Sequence, residues 1–203
     1  LAAVEGRGPL PDGVLLTFDD GFVDHHAHVA PELEARGLFG VFYVPTGPQL
    51  TGRALDVHRV HHLLGLHGGP AMLARVGPLV EERMLTHAGV DEFRTATYVD
   101  QDDHGATTRF KRILNYLIDD GWRTGVIDAL MDEATEARLA GLYVDAGMVR
   151  DLQDRGHLVG SHTVTHRVLS TLPVDVQREE IEASFAWLED ATGGLACRTF
   201  CFP

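Results

Sequence analysis

Two short apolar runs with a helical stretch between them constrain this chain more than any other feature. Gly13-Val14-Leu15-Leu16-Thr17-Phe18 follows the turn signal Pro11-Asp12-Gly13, and Phe39 to Val44 is closed by Pro45. Between them Val29, Ala30 and Leu33 share one side of a helix, with Pro31 near its start and Gly37 as its stop. Strand, helix, strand in about 30 residues is a βαβ unit, and two strands joined by such a crossover run parallel. The pattern returns late in the chain. Met148, Val149 and Leu152 face one way before Gly156, and His157-Leu158-Val159-Gly160 reads as a short strand. Pro173 and Asp175 open a helix with Asp175 as its N-cap and Glu179 and Glu180 near its first turn. Ile181, Ser184, Phe185 and Leu188 form its stripe, Gly193-Gly194 end it, and Cys197 to Phe202 is a last strand. Residues 13–18, 39–44, 157–160 and 197–202 are therefore expected as parallel strands of one sheet or barrel.

From about Leu55 to Leu142 the period changes. Val57, Val60 and Leu64 share a face, and Phe110, Ile113, Leu114 and Leu117 follow the i, i+3, i+4, i+7 rule. Gly77-Pro78 breaks or kinks the intervening helix, and Arg94 to Gly105 is polar and loop-like. With 203 residues, the expected organisation is a single α/β domain, 1–203, carrying a helical insertion at about 51–143. Apolar residues at 44% are ordinary for a globular chain, and a net charge of −13 argues against general binding to nucleic-acid backbones. No apolar run approaches the ~20 residues of a membrane span.

The two cysteines, Cys197 and Cys201, cannot build a disulfide framework. On a strand they would stand roughly 13 Å apart, beyond bridging reach, and they read as small core residues. The chain opens on Leu1 without a leader-like pattern, which makes a cytoplasmic location the default expectation while leaving a removed leader open. It stops at Phe202-Pro203 straight after a strand, so a C-terminal part is expected to be missing.

Two constellations could carry chemistry. Asp19 and Asp20 end the first strand, the end at which parallel α/β architectures build their sites. Neighbouring acids on a strand point to opposite sides, so one can ligate a metal while the other stays free as a base; the bland alternative is a solvated turn. His162 and His166 lie just past another strand end at i, i+4, and in a helical segment they would grip one ion from one face. Two imidazoles and one carboxylate would leave a zinc site open to water. Of the other histidines, His58 and His62, with His61 and Arg59 beside them, read as a solvated helix face. His25, His26 and His28 crowd the first helix with no visible partner. His67, His87, His104 and His157 read as ordinary. The chain contains no G-x-S-x-G elbow, phosphate-binding loop or dinucleotide fingerprint.

Thr17-Phe18-Asp19-Asp20-Gly21 resembles the first motif of the polysaccharide deacetylases, carbohydrate esterase family 4. Ser161-His162-Thr163-Val164-Thr165-His166 resembles their second, H-[ST]-x-x-H. Phe200-Cys201-Phe202-Pro203 resembles the start of their third, and Phe42-Tyr43-Val44-Pro45 their second strand. The resemblance covers about residues 10–48 and 144–203, and the long helical insertion is similar to that of a bacterial branch associated with surface polysaccharide synthesis. It implies a distorted (β/α) barrel, here without its last strands. It also implies hydrolysis of acetyl groups, N-acetyl ahead of O-acetyl, from a sugar or polysaccharide. By the same resemblance Asp20, His162 and His166 would bind a divalent metal, with Zn²⁺ first and Co²⁺ or Ni²⁺ also fitting, and Asp19 would be the general base.

Two departures from the family pattern stand out. Many members carry an Arg beside the base in motif three; here that place is Cys201, with Arg198 three positions earlier. The later motifs, with the catalytic acid and oxyanion donor, have no counterpart before Pro203. The alternative functions are a carbohydrate-binding or scaffold domain with a vestigial site, and a metal hydrolase of linear amide C–N bonds. Substrate-binding residues, the particular sugar and the oligomeric state are not assigned by the sequence.

Overall fold

The protein is described by a computed structural model over residues 12–86 and 105–203. The stretch read as a polar loop, apart from Gly105, lies outside these residues, as do His87 and His104. The chain divides into two compact units, one ending at Gln49 and resuming over Leu142–Pro203, the other Leu50–Gly141.

The first unit is built on a parallel sheet in the order β1 (Thr17–Phe18), β2 (Val41–Val44), β3 (Leu158–Ser161). Among the described residues this sheet is three-stranded and does not close into a barrel. Helix α1 (Ala30–Glu34) belongs to the first chain segment, and α2 (Gly47–Thr51) runs across the end of that segment at Gln49. Helices α7 (Ala146–Asp154) and α8 (Val174–Thr192) belong to the second. Phe42 and Val44 of β2 and Val159 of β3 point to one side. There they pack with Ala30 and Leu33 of α1, Val149 and Leu152 of α7, and Leu188 and Ala191 of α8. Burying Phe42 alone contributes about 2–3 kcal/mol.

The strands are shorter than the apolar runs suggest. Val14, Leu15 and Phe39 are exposed rather than buried in a ladder. For β2 the reason lies at Gly40. Its N–H donates to Nδ1 of His157 (3.2 Å) instead of to a strand, and a Cβ there would stand 2.9 Å from Leu33. His157, read from sequence as ordinary, is thus a buried tie between the starts of β2 and β3; its Nε2 meets Glu34 of α1 at 3.1 Å. Residues 197–202 do not form the expected strand. Only Phe200 bridges to β3, through bonds between the Ser161 backbone and Thr199 and Cys201. Arg198 is turned away from that line, stacking on Phe185 and pairing with Glu189.

Proline shapes two helix starts. Pro31 has no N–H to donate to the preceding turn, and the chain passes first through a π-turn, His25–Val29, before α1 begins. In α8 the N-cap is Pro173, not Asp175. Asp175 instead sits in the first turn, where its charge favours the helix N-terminus. Gly193, at φ 74, closes the helix in the left-handed region.

In the second unit the described elements are helices: α3 (Asp56–Val76), α4 (Gly105–Arg112), α5 (Asp120–Asp128) and α6 (Glu133–Ala140), with short turns between. Val60, Leu63, Met72 and Val76 of α3 pack with Phe110, Leu114, Val126 and Ile127. A break at Gly68 (φ 74) precedes Pro70, and α4 approaches so closely that a side chain at Gly69 would overlap Thr107. Arg59 is not on a solvated face. It is 1% exposed and held by Asp56 (2.7 Å), Glu136 (2.8 Å) and Asp128 (2.5 Å). His58 and His62 are half-buried and His61 exposed.

Candidate metal centre

Asp19 and Asp20 leave β1 in different backbone conformations. Asp20 takes the left-handed region (φ 73) and Gly21 follows in it (φ 60), so the chain turns sharply after Asp19. A Cβ at Gly21 would lie 3.1 Å from Val44, which, with its φ, explains the glycine. The turn is secured by the Val144 N–H on Gly21 O (2.9 Å), beside the antiparallel bridge of Phe22 with Tyr143. Across this turn the Asp20 carboxylate lies against His162 and His166, and the Asp19 carboxylate lies against Cys201.

The histidine pair also departs from the helical expectation. Residues 162–166 form a loop in which Thr163 (φ 65) and His166 (φ 58) are left-handed. His162 keeps the direction of β3, its N–H on Val44 O at 3.2 Å. Its Nδ1 donates to Cys201 O (2.9 Å), which fixes the tautomer and leaves the Nε2 lone pair available. That Nε2 lies 3.6 Å from Asp20 Oδ1, and His166 Nε2 lies 3.1 Å from the same oxygen. The two imidazoles meet edge to face at 4.7 Å. Among the described residues, Asp20, His162 and His166 alone form a group of three or more metal-ligand side chains whose ligand atoms lie within 4.8 Å of one another.

The donor set fits a divalent ion. Two nitrogens and one carboxylate oxygen suit Zn²⁺ and its neighbours. Burial, above all, holds His162 below the ordinary histidine value, against the pull of the Cys201 carbonyl, and this favours the neutral ring that a metal needs.

The sequence profile of the polysaccharide deacetylase family matches residues 102–203, half of the chain, a range that includes both histidines and stops short of Asp19 and Asp20. The chain belongs to the polysaccharide deacetylase family. No curated protein sequence matches it. Among solved structures it is similar to the Streptococcus pyogenes deacetylase PplD in complex with acetate, at 14% identity and TM-score 0.46 over 96% of this chain and 47% of that one. It is also similar to the deacetylase domain of BpsB from Bordetella bronchiseptica, at 14% identity and TM-score 0.48 over 100% of this chain and 60% of that one. The chain thus spans about half the length of the first and three-fifths of the second.

Around the three candidate ligands lie residues whose sequence signal was weak. Asp19 is exposed, and Cys201 Sγ stands 3.9 Å from its Oδ2. Burial first, and then the Asp19 charge, push the Cys201 thiol up, so it stays protonated beside Asp19. Cys201 and Cys197 are both free and half-buried, not core residues. Arg198 does not stand in for a motif-three arginine, being engaged by Glu189 and Phe185. Tyr43 lies in register with Gly160, and its ring occupies the place of the missing side chain: a Cβ on Gly160 would come within 2.7 Å of it. His25, which had no visible partner in the sequence, packs against Phe18, Phe22 and Phe42. Burial holds it below the ordinary value against the charges of Asp20, Asp24 and Asp19. His26 pairs with Asp151 at 2.7 Å.

Proposed function

We propose that this chain carries the metal-binding part of a metal-dependent carbohydrate deacetylase that releases acetyl groups, N-acetyl ahead of O-acetyl, from a sugar polymer. The convergence of Asp20, His162 and His166, with the His162 tautomer fixed for ligation, is the observation that carries this reading. The two units are read together as one deacetylase domain of distorted-barrel type with a helical insertion, and surface polysaccharide synthesis is the process it fits.

In this reading Asp20, His162 and His166 hold the ion, with Zn²⁺ first and Co²⁺ or Ni²⁺ also suited. Bound there, a divalent ion lowers the pKa of a coordinated water and polarises the acetyl carbonyl. Asp19, exposed and next in the chain to the ligand Asp20, takes the proton from the attacking water. The protonated Cys201 thiol beside it adds no negative charge to compete for that proton.

The test is acetate release from N- and O-acetylated oligosaccharides by the gene product, with and without chelator. Chelator-sensitive release supports the reading. Sugar binding without acetate release from any substrate would shift it to a carbohydrate-binding domain. Release of ammonia or amine from linear amides alone would shift it to an amidohydrolase.

A further inference from the structure

The loop between His162 and His166 is neither helix nor strand, and it holds two non-glycine residues in the left-handed region. Such a backbone persists only when its surroundings determine it. From β3 and the segment after β2, the loop is tied by Thr46 N–H on Thr163 O (3.1 Å) and Gly47 N–H on Val164 O (2.8 Å). The Thr163 N–H reaches Ser161 Oγ, which donates to Ser184 of α8.

The main tie is one side chain of α8. Glu180 is 4% exposed. Its Oε2 accepts the backbone N–H groups of Val164 (2.9 Å) and Thr165 (2.8 Å). Its Oε1 accepts the Thr165 hydroxyl and Arg167 Nη2 (2.9 Å), while Arg167 Nε donates to Thr165 Oγ1 (2.8 Å). A carboxylate buried this deeply needs such compensation. All of it comes from the loop that carries the two histidines, and none from the helix core beneath.

We propose that Glu180 is a positioning residue of the metal centre. It sets the backbone between the two histidines before any ion arrives, so ion affinity depends on a side chain that does not touch the ion. This rests on the reading of Asp20, His162 and His166 as the ligand set.

The experiment is titration of the purified metal-free protein with Co²⁺, followed by the visible bands of the bound ion, with Zn²⁺ in competition. Glu180→Gln replaces an acceptor oxygen by a donor and should weaken Co²⁺ binding about 10–100-fold and alter the band shape. Thr165→Val, which removes one hydroxyl and keeps the fold testable should Glu180→Gln fail to fold, should weaken it several-fold. Phe185→Leu, at a buried position of α8 that makes none of the Glu180 hydrogen bonds, is the control for plain destabilisation. Its affinity should stay within about twofold at a matched loss of melting temperature. Unchanged affinity and band shape in both loop variants overturn the proposal, as does a loss in Phe185→Leu as large as theirs. Failure of the unmodified protein to bind Co²⁺ or Zn²⁺ overturns the ligand assignment itself, which is a different result.

Discussion

Among the described residues each unit buries one Arg or Glu side chain almost completely, and the two do different work. In the α/β unit Glu180 spends its carboxylate on the backbone and side chains of a single loop. In the helical unit Arg59 ties α3 to α5 and α6 through Asp128 and Glu136, with Asp56 one turn before it and Arg53 also on Asp128. One buried ion shapes a short irregular segment, and the other joins regular elements. The lesson is that a buried charge follows the shortage it relieves. A loop is short of partners for its N–H groups, whereas helices have satisfied backbones and can only be joined through side chains.

The largest expected effect is on chemistry, and it would separate the units by function. Asp20→Ala should abolish tight metal binding and lower acetate release by more than about 10³, while Asp19→Asn should keep the metal and cost roughly 10²–10⁴ in rate. Metal analysis beside kcat decides it. An Asp19 variant that loses metal while the Asp20 variant keeps it would swap the two roles.

Next is stability. Arg59→Ala leaves three carboxylates around a void and should destabilise the helical unit by about 3–5 kcal/mol; Arg59→Met, which refills the volume, should cost less. The chain has one tryptophan in each unit, Trp122 in the helical and Trp187 in the α/β, so urea melts of Trp122→Phe and Trp187→Phe backgrounds report the units separately. Equal shifts at both tryptophans would dissolve the comparison.

The units should also differ in acid. His162 and His25 are held below 6.5 in the folded state. The unfolded chain therefore takes up protons first, and the metal-free α/β unit should lose stability as pH falls below 6.5. Asp128, despite partial burial, is drawn below 3.8 by Arg59 and Arg53. Its contribution is present above 3.8 and lost only as pH falls through the lowered value. Trp187 should report weakening at mildly acidic pH, and Trp122 only in stronger acid. The reverse order would show that the buried histidines do not govern the α/β unit.

The smallest expected effects have opposite signs for the same substitution. Gly160→Ala would press on Tyr43 and Thr199 and should cost about 1–3 kcal/mol. Gly65→Ala, in α3 with open space around it, should stabilise by about 0.5–1 kcal/mol. Chemical melts of both variants check the pair.

Much of the site was legible because its signals are local. The acid pair after an apolar run, the glycine that lets the chain turn, and two histidines past a second run are all readable within a few residues. The loop conformation at His162–His166 was not, since i, i+4 spacing serves a helix and a clamped loop equally well. Glu180 looked like one more first-turn acid, and Arg59 like one more surface cation beside histidines. Each owes its burial to partners that no local pattern reveals.

By itself the sequence determined the parallel βαβ start, the helical character of the described residues between 55 and 142, and which side chains could ligate an ion. These follow from short-range rules of period, turn chemistry and residue type. The tertiary structure alone decided where the strands stop, that Cys201 stands against Asp19, and that Asp20 meets the two histidines at one point. Each of those depends on contacts between residues far apart in the chain: Gly40 with His157, Asp19 with Cys201, Asp20 with His162 and His166. Local propensity cannot encode such meetings, because the free energy that selects them appears only when the segments pack together.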